Sequence, residues 1–165
     1  MIYAIAAIDT KRGIANQHGM PWHLPTDKKY YLKKIHNQTV LVGAGTYKEP
    51  RTDRHAIIAS RSVLDLKSID KQVNDAAAFL RQTDKDIWVI GGAEIYAATI
   101  DYVDKLFLTL IDSDFDCTKF FPEYEQDFEC IDPGESQTEN GINFRFTVWQ
   151  RKASRSAESA LPKQG

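Results

Sequence analysis

Asp86-Ile87-Trp88-Val89-Ile90, followed at once by Gly91-Gly92-Ala93-Glu94, is the stretch on which the fold turns. An apolar run that does not alternate with polar residues suits a strand buried on both faces, the signature of a parallel sheet. The glycine pair behind it lets the backbone approach a ligand closely, and Ala93–Ile100 then reads as a helix. A second junction has the same design: Thr39–Val42 runs into Gly43-Ala44-Gly45-Thr46. Neither is a Walker loop, which needs GxxxxGK[ST], and Lys48 stands where GxGxxG needs its last glycine. Taken singly, each is satisfied by a tight turn into a helix. Taken together they mark the carboxyl ends of parallel strands, where open α/β sheets bind ligands, and a molecule with two phosphates could use both.

Outward from this stretch the pattern repeats. Tyr3–Ile8 and Ala56–Ala59 are further buried strands, and Pro25–Ile35 is a helix with Asp27, Tyr31 and Ile35 on one stripe. Asn74 is an N-cap candidate for a helix over Asp75–Gln82. The order of elements predicts a largely parallel sheet with helices on both faces. The last third changes character. Leu106–Ile111 is another apolar strand, and Phe144–Val148 alternates with period two. With Gly134 and Glu139-Asn140-Gly141 as turn residues, this predicts a C-terminal antiparallel hairpin. Residues 1–152 thus read as one domain, and 153–165 as a polar, disordered tail.

Composition narrows the chemistry. Lys+Arg 21 against Asp+Glu 23 leaves a net charge of −2, which excludes a domain held to nucleic acid by counterion release. Cys117 and Cys130 are too far apart for a CxxC pair, and His18, His23, His36 and His55 form no HExxH cluster. Asp112, Asp114 and Asp116 alternate as on a solvated strand edge rather than a calcium loop. No GxSxG elbow is present. The apolar run Ile2–Ile8 is too short to cross a bilayer and lacks signal-peptide flanks, so a cytoplasmic protein without membrane partners is expected. No large apolar helix face is left over, and the expectation is a monomer.

One carboxylate stands out. In Met20-Pro21-Trp22-His23-Leu24-Pro25-Thr26-Asp27 two prolines and a Trp stiffen the entry to a helix whose first turn carries Asp27. A first-turn carboxylate is also simply favoured by the helix dipole. With Trp22, Leu24 and Tyr31 around it, however, apolar surface would raise its pKa and suit it to proton donation or relay.

These stretches, in this order, resemble the dihydrofolate reductase family from Ile2 to about Lys152. The resemblance is carried by Ile5-Ala6-Ala7, Gly13-Ile14, Met20 to Asp27, Val42-Gly43, Thr46-Tyr47, Ile57-Ile58, Val89-Ile90-Gly91-Gly92, Ile95-Tyr96, Leu108-Thr109 and Phe121-Pro122. It implies a single α/β domain with a mixed, mostly parallel eight-stranded twisted sheet. It also implies hydride transfer from NADPH to C6 of 7,8-dihydrofolate with protonation at N5, giving tetrahydrofolate for one-carbon metabolism, with no metal. Asp27 would be the acid at the pteridine, Thr109 its hydroxyl support, and Trp22 a further catalytic residue, near the nicotinamide. Ile5, Ala6 and Ile90 would line the pterin side, Tyr31 would meet the benzoyl ring, and Arg54 would clamp the glutamate carboxylate. Ala7 and Ile14 would flank the nicotinamide, with Ala15–Met20 a loop closing over it. Gly43, Gly45 and Thr46, with Gly91, Gly92, Ala93, Glu94 and Ile95, would hold the pyrophosphate, and the Gly91–Gly92 peptide would be cis.

The departures are specific. The family commonly has Arg after the first glycine of the earlier junction, to grip the adenosine phosphate; here Ala44 and Gly45 follow Gly43. Ser60, Arg61 and Lys71 are the expected replacements for NADPH selection. The segment Lys48–Asp53 is short, and Lys28 follows the acid where Leu is usual, so diaminopyrimidine antifolates should bind more weakly. A pyrimidine reductase of the same fold lacks the MPW…LPTD stretch, and a non-catalytic dinucleotide binder would have no use for Asp27 with Thr109 and Arg54.

Overall fold

The computed structural model describes residues 1–47, 53–62 and 71–153. The expected short segment at 48–53 and the tail at 153–165 therefore fall almost wholly outside the described residues. The strands are β1 (Ile2–Ile8), β2 (Gly13–Ala15), β3 (Thr39–Gly43), β4 (His55–Ala59), β5 (Lys71–Val73), β6 (Ile87–Gly91), β7 (Lys105–Ile111), β8 (Lys119–Phe120), β9 (Phe128–Asp132), β10 (Gln137–Glu139) and β11 (Ile142–Arg151). The helices are α1 (Pro25–Ile35), α2 (Ala76–Gln82) and α3 (Ala93–Thr99), the last continued by a 3-10 turn at Ile100–Tyr102.

Eight strands run in the order β10-β11-β7-β1-β6-β3-β4-β5, and β9 adds to the far half of β11. The pairs from β7 through β5 are parallel, whereas β11 lies antiparallel to β7, β9 and β10. This is the expected mixed sheet, closed by the expected hairpin. Asn140 and Gly141, both at positive φ, form its two-residue turn, as the twist of an antiparallel pair favours. Strands β2, β5, β8 and β10 are too short to show periodicity, and β9, with only Phe128 buried, has no apolar face to read, so none of the five is evident from sequence.

Alternation along β1 sorts the two faces. Ile2, Ala4 and Ile8 pack with Leu80 of α2 and Tyr96 of α3, while Ile5 packs with Ile35 of α1. Ile35 is the one buried residue of α1. One local expectation fails: Asp75, not Asn74, caps α2, accepting a hydrogen bond from Ala78 N at 3.0 Å. The helix starts one residue later than expected, so the carboxylate at the true N-cap reaches the N3 amide.

Candidate active site

The parallel ladder between β1 and β6 stops at Ala4 and Val89. Beyond it β1 stays with β7 as far as Ile8, and β6 stays with β3 through a bulge at Ile90. The sheet therefore forks at Ile5 and Ile90, on its carboxyl edge, between the two central strands. Tyr96 of α3 stands at this fork. Its hydroxyl, buried, donates to the Ile5 carbonyl at 2.6 Å, and its ring lies where a Cβ on Gly91 would sit. Burial pushes that phenol far above its ordinary range, so it acts here only as a donor. Tyr96 belongs to the site and was missed as a site residue, although it stands in the Ile95-Tyr96 motif.

On the β7 side of the fork lies the acid. Pro25 opens α1 and places Asp27 in its first turn, where Thr109 Oγ1 donates to Asp27 Oδ1 at 2.6 Å. Thr109 pairs with Ala7 on one side and Phe146 on the other, so its hydroxyl is held by three strands. Burial raises the Asp27 pKa above the ordinary aspartate range; the Thr109 bond opposes this, and the charge of Glu139 adds to it. Ala7, Trp22, Leu24 and Phe146 belong to one apolar cluster next to the acid. Trp22 is 7% exposed, and its Nε1 is a buried donor with no protein partner among the described residues. Tyr30 stacks on Phe146 at 4.0 Å between centroids, extending the apolar wall beside Asp27. Tyr31 is half-buried on the α1 side of the sheet, in the same apolar cluster as Ile5 and Ile90.

On the β3 side the two glycine junctions come together. The Gly91–Gly92 peptide is cis, as expected, and Gly91 has φ +106°. A Cβ on Gly92 would stand 2.9 Å from Thr46 Oγ1, and one on Gly43 would stand 2.9 Å from Ile95 Cγ1. The residues Gly43–Thr46 and Gly91–Ile95 thus interlock, the Thr46 and Ile95 side chains filling the room that a Cβ on Gly92 or Gly43 would need. Gly45 has open space before it, and Glu94 is exposed. Ile14 and Ala6 pack against the α2–α3 side of the core, with Ile14 on β2.

The remaining expectations divide. Ser60 and Arg61 follow β4 at the carboxyl edge, where Ser60 Oγ and Ser62 close a tight turn and Gln72 Nε2 donates to the Ser60 and Ser62 carbonyls. Arg61 is exposed there. Lys71 does not join them. It opens β5 opposite Ile57, and Val73 is the residue whose carbonyl accepts the Ser60 amide. At about 3.3 Å per residue, Lys71 lies roughly 10 Å short of Ser60 along the strand direction, and Asn74 is the β5-side residue that reaches that level. Arg54 is 10% exposed and donates through Nη2 to Asp53 at 2.9 Å, while its Nε is buried without a partner among the described residues. Lys28 is exposed on α1. No helix among the described residues is long and apolar enough to cross a membrane.

A fork in a parallel sheet can admit a flat ring. This one has a desolvated acid on one side and a glycine cradle on the other. The chain is similar along nearly its whole length to known proteins. The family model described as dihydrofolate reductase matches residues 1–151. The chain is 33% identical over 129 residues to a dihydrofolate reductase of Buchnera aphidicola, covering 75% of this chain and 80% of that protein. It is 27% identical over 166 residues to the Bacillus subtilis enzyme of the same name, covering 95% and 98% of the two chains. Its fold is similar to that of dihydrofolate reductase from Enterococcus faecalis complexed with NADP(H) and RAB-propyl. The TM-score is 0.78 at 24% identity, with 92% of this chain and 96% of that chain covered.

Proposed function

The chain belongs to the dihydrofolate reductase family and is an NADPH-dependent enzyme of dihydrofolate reduction, and we propose that its residues share the reaction as follows. The observation that carries the assignment is the 2.6 Å bond from Thr109 to Asp27 beside the fork in the sheet.

Dihydrofolate presents an amide-like edge, with a ring N–H and an amino group side by side. A carboxylate oriented through one oxygen by Thr109 can accept both donors, and Asp27 is the one such group beside the fork among the described residues. Burial raises its pKa, which suits it to hold or relay a proton, so Asp27 favours the protonated substrate whose N5 then carries the new proton. Trp22 lends its unpartnered Nε1–H to the substrate's polar edge or to a water held there. The carbonyls of Ile5 and Ile90, at the parting of β1 and β6, orient the ring, with Tyr96 fixing the first. Tyr31 packs on the benzoyl group, and the Arg54 guanidinium, oriented by Asp53 through Nη2, meets the terminal carboxylate.

The cofactor's residues are tested by the space they leave. Gly45, with open space before it, suits close approach by a pyrophosphate; Gly43, Gly91 and Gly92 let Ile95, Tyr96 and Thr46 close up behind it, with Ala93 and Glu94 alongside. Ala6, Ala7 and Ile14 offer small or apolar contacts to a nicotinamide. NADPH, when bound, supplies the hydride. Arg61, supported by the Ser60 turn, is the cation for the adenosine phosphate; Lys71, lower on β5, is the weaker candidate. A cytoplasmic site of action fits two unpaired cysteines.

The test is NADPH oxidation followed by absorbance, with and without dihydrofolate. Dihydrofolate-dependent turnover that is lost in Asp27→Asn supports the assignment. An equal rate in Asp27→Asn overturns it.

A further inference from the structure

Helix α1 begins without a local cap. Leu24 at the N-cap position makes no side-chain hydrogen bond, and Pro25 has no amide hydrogen, so the Thr26 amide is the first free donor of the helix. That donor is met from 113 residues away. Glu139 Oε1 accepts from Thr26 N at 3.0 Å, and Glu139 Oε2 accepts from Thr26 Oγ1 at 2.6 Å. The adjoining Asn140 donates through Nδ2 to the His23 carbonyl at 2.9 Å. The tip of the β10–β11 hairpin therefore grips the chain on both sides of Leu24 and Pro25.

The grip has a consequence for the acid. Asp27 is the next residue after Thr26, so a carboxylate holding both polar groups of Thr26 fixes the height and rotation of the first turn. The other end of the lever is fixed too. Strand β11, which carries the hairpin, pairs Phe146 with Thr109. Glu139 and Thr109 thus hang on one rigid ladder, one holding Thr26 and the other holding Asp27. We propose that Glu139 is a positioning residue of this enzyme, a remote helix cap that seats Asp27 on Thr109.

The electrostatic surroundings support this. The groups facing Asp27 are the Thr109 hydroxyl from β7, Glu139 from β10 and the Tyr30 phenol from its own helix, itself pushed up to about 12 chiefly by burial. None of these is a cation. Glu139 is held below the ordinary glutamate range mainly by its Thr26 bonds, with His23 adding to this, so it stays charged where Asp27 is titrating. A fixed negative charge beside a second carboxylate raises the latter's pKa.

The inference rests on Asp27 being the acid, and the experiment separates the two. The rate of hydride transfer is followed against pH in the wild type, Glu139→Gln, Glu139→Ala and Asp27→Asn. Glu139→Gln keeps an acceptor for Thr26 and removes the charge. Its pH midpoint should move down and its rate above the midpoint should fall about two- to threefold, the size expected of one nearby charge in a partly solvated site. Glu139→Ala also removes the cap, so kcat should fall across the whole pH range while KM for dihydrofolate rises. Glu139→Asp, shorter but charged, should restore the midpoint more than the plateau. If Asp27→Asn abolishes the midpoint and both Glu139→Gln and Glu139→Ala leave it unmoved, Glu139 is merely structural and the proposal is overturned. If Asp27→Asn leaves the midpoint in place, the assignment of Asp27 fails first. Should Glu139→Ala not fold, the Gln and Asp variants decide the matter.

Discussion

Asp9 and Asp27 are two inward-facing carboxylates on either side of the same apolar cluster, and the protein treats them oppositely. Asp9 is 4% exposed and takes backbone hydrogens from Lys11 at 2.9 Å, Gly13 at 2.7 Å and Phe115 at 3.0 Å. Asp27 takes one hydroxyl, from Thr109, and faces a second carboxylate. A carboxylate ringed by fixed N–H groups has its lone pairs taken up by the backbone. One with a single donor in an apolar wall has lone pairs and a proton affinity left over. The contrast separates a structural acid, which ties the turn before β2 to the segment before β8, from a chemical one. Burial alone does not distinguish them.

The largest effect that can break this contrast is expected from Asp27→Asn. The amide keeps an oxygen for Thr109 but cannot hold or exchange the proton, so kcat/KM near neutral pH should fall by roughly a hundredfold or more. The fold should gain from the change. A carboxyl whose pKa is raised by folding contributes stability that is fully present below the ordinary aspartate range and is lost as pH rises through the raised value. Urea unfolding across that window should show stability declining with pH in the wild type and a flatter curve in Asp27→Asn.

Asp9→Asn should show the reverse pattern. Its amide presents hydrogens to backbone hydrogens, leaving at least one buried donor unpaired, at a cost of about 2–3 kcal/mol in urea unfolding. Because Asp9 does not touch the fork, KM for dihydrofolate should stay within about twofold of wild type. If Asp9→Asn costs activity in proportion to Asp27→Asn while leaving stability intact, the division into structural and chemical acids is wrong.

The two acids also differ in how far the sequence reveals them. Asp27 is legible because its neighbours in the chain, Trp22, Leu24 and Tyr31, are also its neighbours in space. The α1 stripe and the glycine junctions are legible for the same reason, since short-range periodicity and turn chemistry decide them. Asp9 is only partly legible: its bonds to Lys11 and Gly13 are local, but its third partner, Phe115, lies on a segment that returns beside it only after the sheet is assembled. Glu139 is hidden in the same way, 113 residues from Thr26. The level of Lys71 is hidden too, since only the β4–β5 register places it opposite Ile57, low on its strand.

Thr109→Val sharpens the contrast from the other side by making Asp27 still less like Asp9. The Thr109 bond holds the Asp27 pKa below what burial alone would give, so its removal should move the pH midpoint of the reaction upward. Losing one charge-assisted bond should also lower the plateau rate about three- to tenfold, well short of Asp27→Asn. A downward midpoint would mean that the hydroxyl is not the donor.

The smallest effect lies beside Asp9. Cys117 is buried against it, and burial, reinforced by the Asp9 charge, pushes the thiol up to about 11. Since only the thiolate is nucleophilic, alkylation near neutral pH should label the exposed Cys130 and leave Cys117 unmodified until the protein unfolds. Asp9→Asn removes the charge, so Cys117 labelling should quicken modestly, read by mass spectrometry at matched folded fraction. Gly13 completes this corner, because a Cβ there would stand 2.5 Å from Cys117 Cβ and 2.9 Å from Asp9 Oδ1. Gly13→Ala must therefore spread the same contacts, and it should raise Cys117 labelling by loosening the packing rather than by removing charge. The two variants separate the causes: the Asp9→Asn increase should remain when rates are compared at equal stability, and the Gly13→Ala increase should track the lost stability. Equal labelling of both cysteines in the wild type would show that Asp9 is not enclosed, and the contrast with Asp27 would lose its structural half.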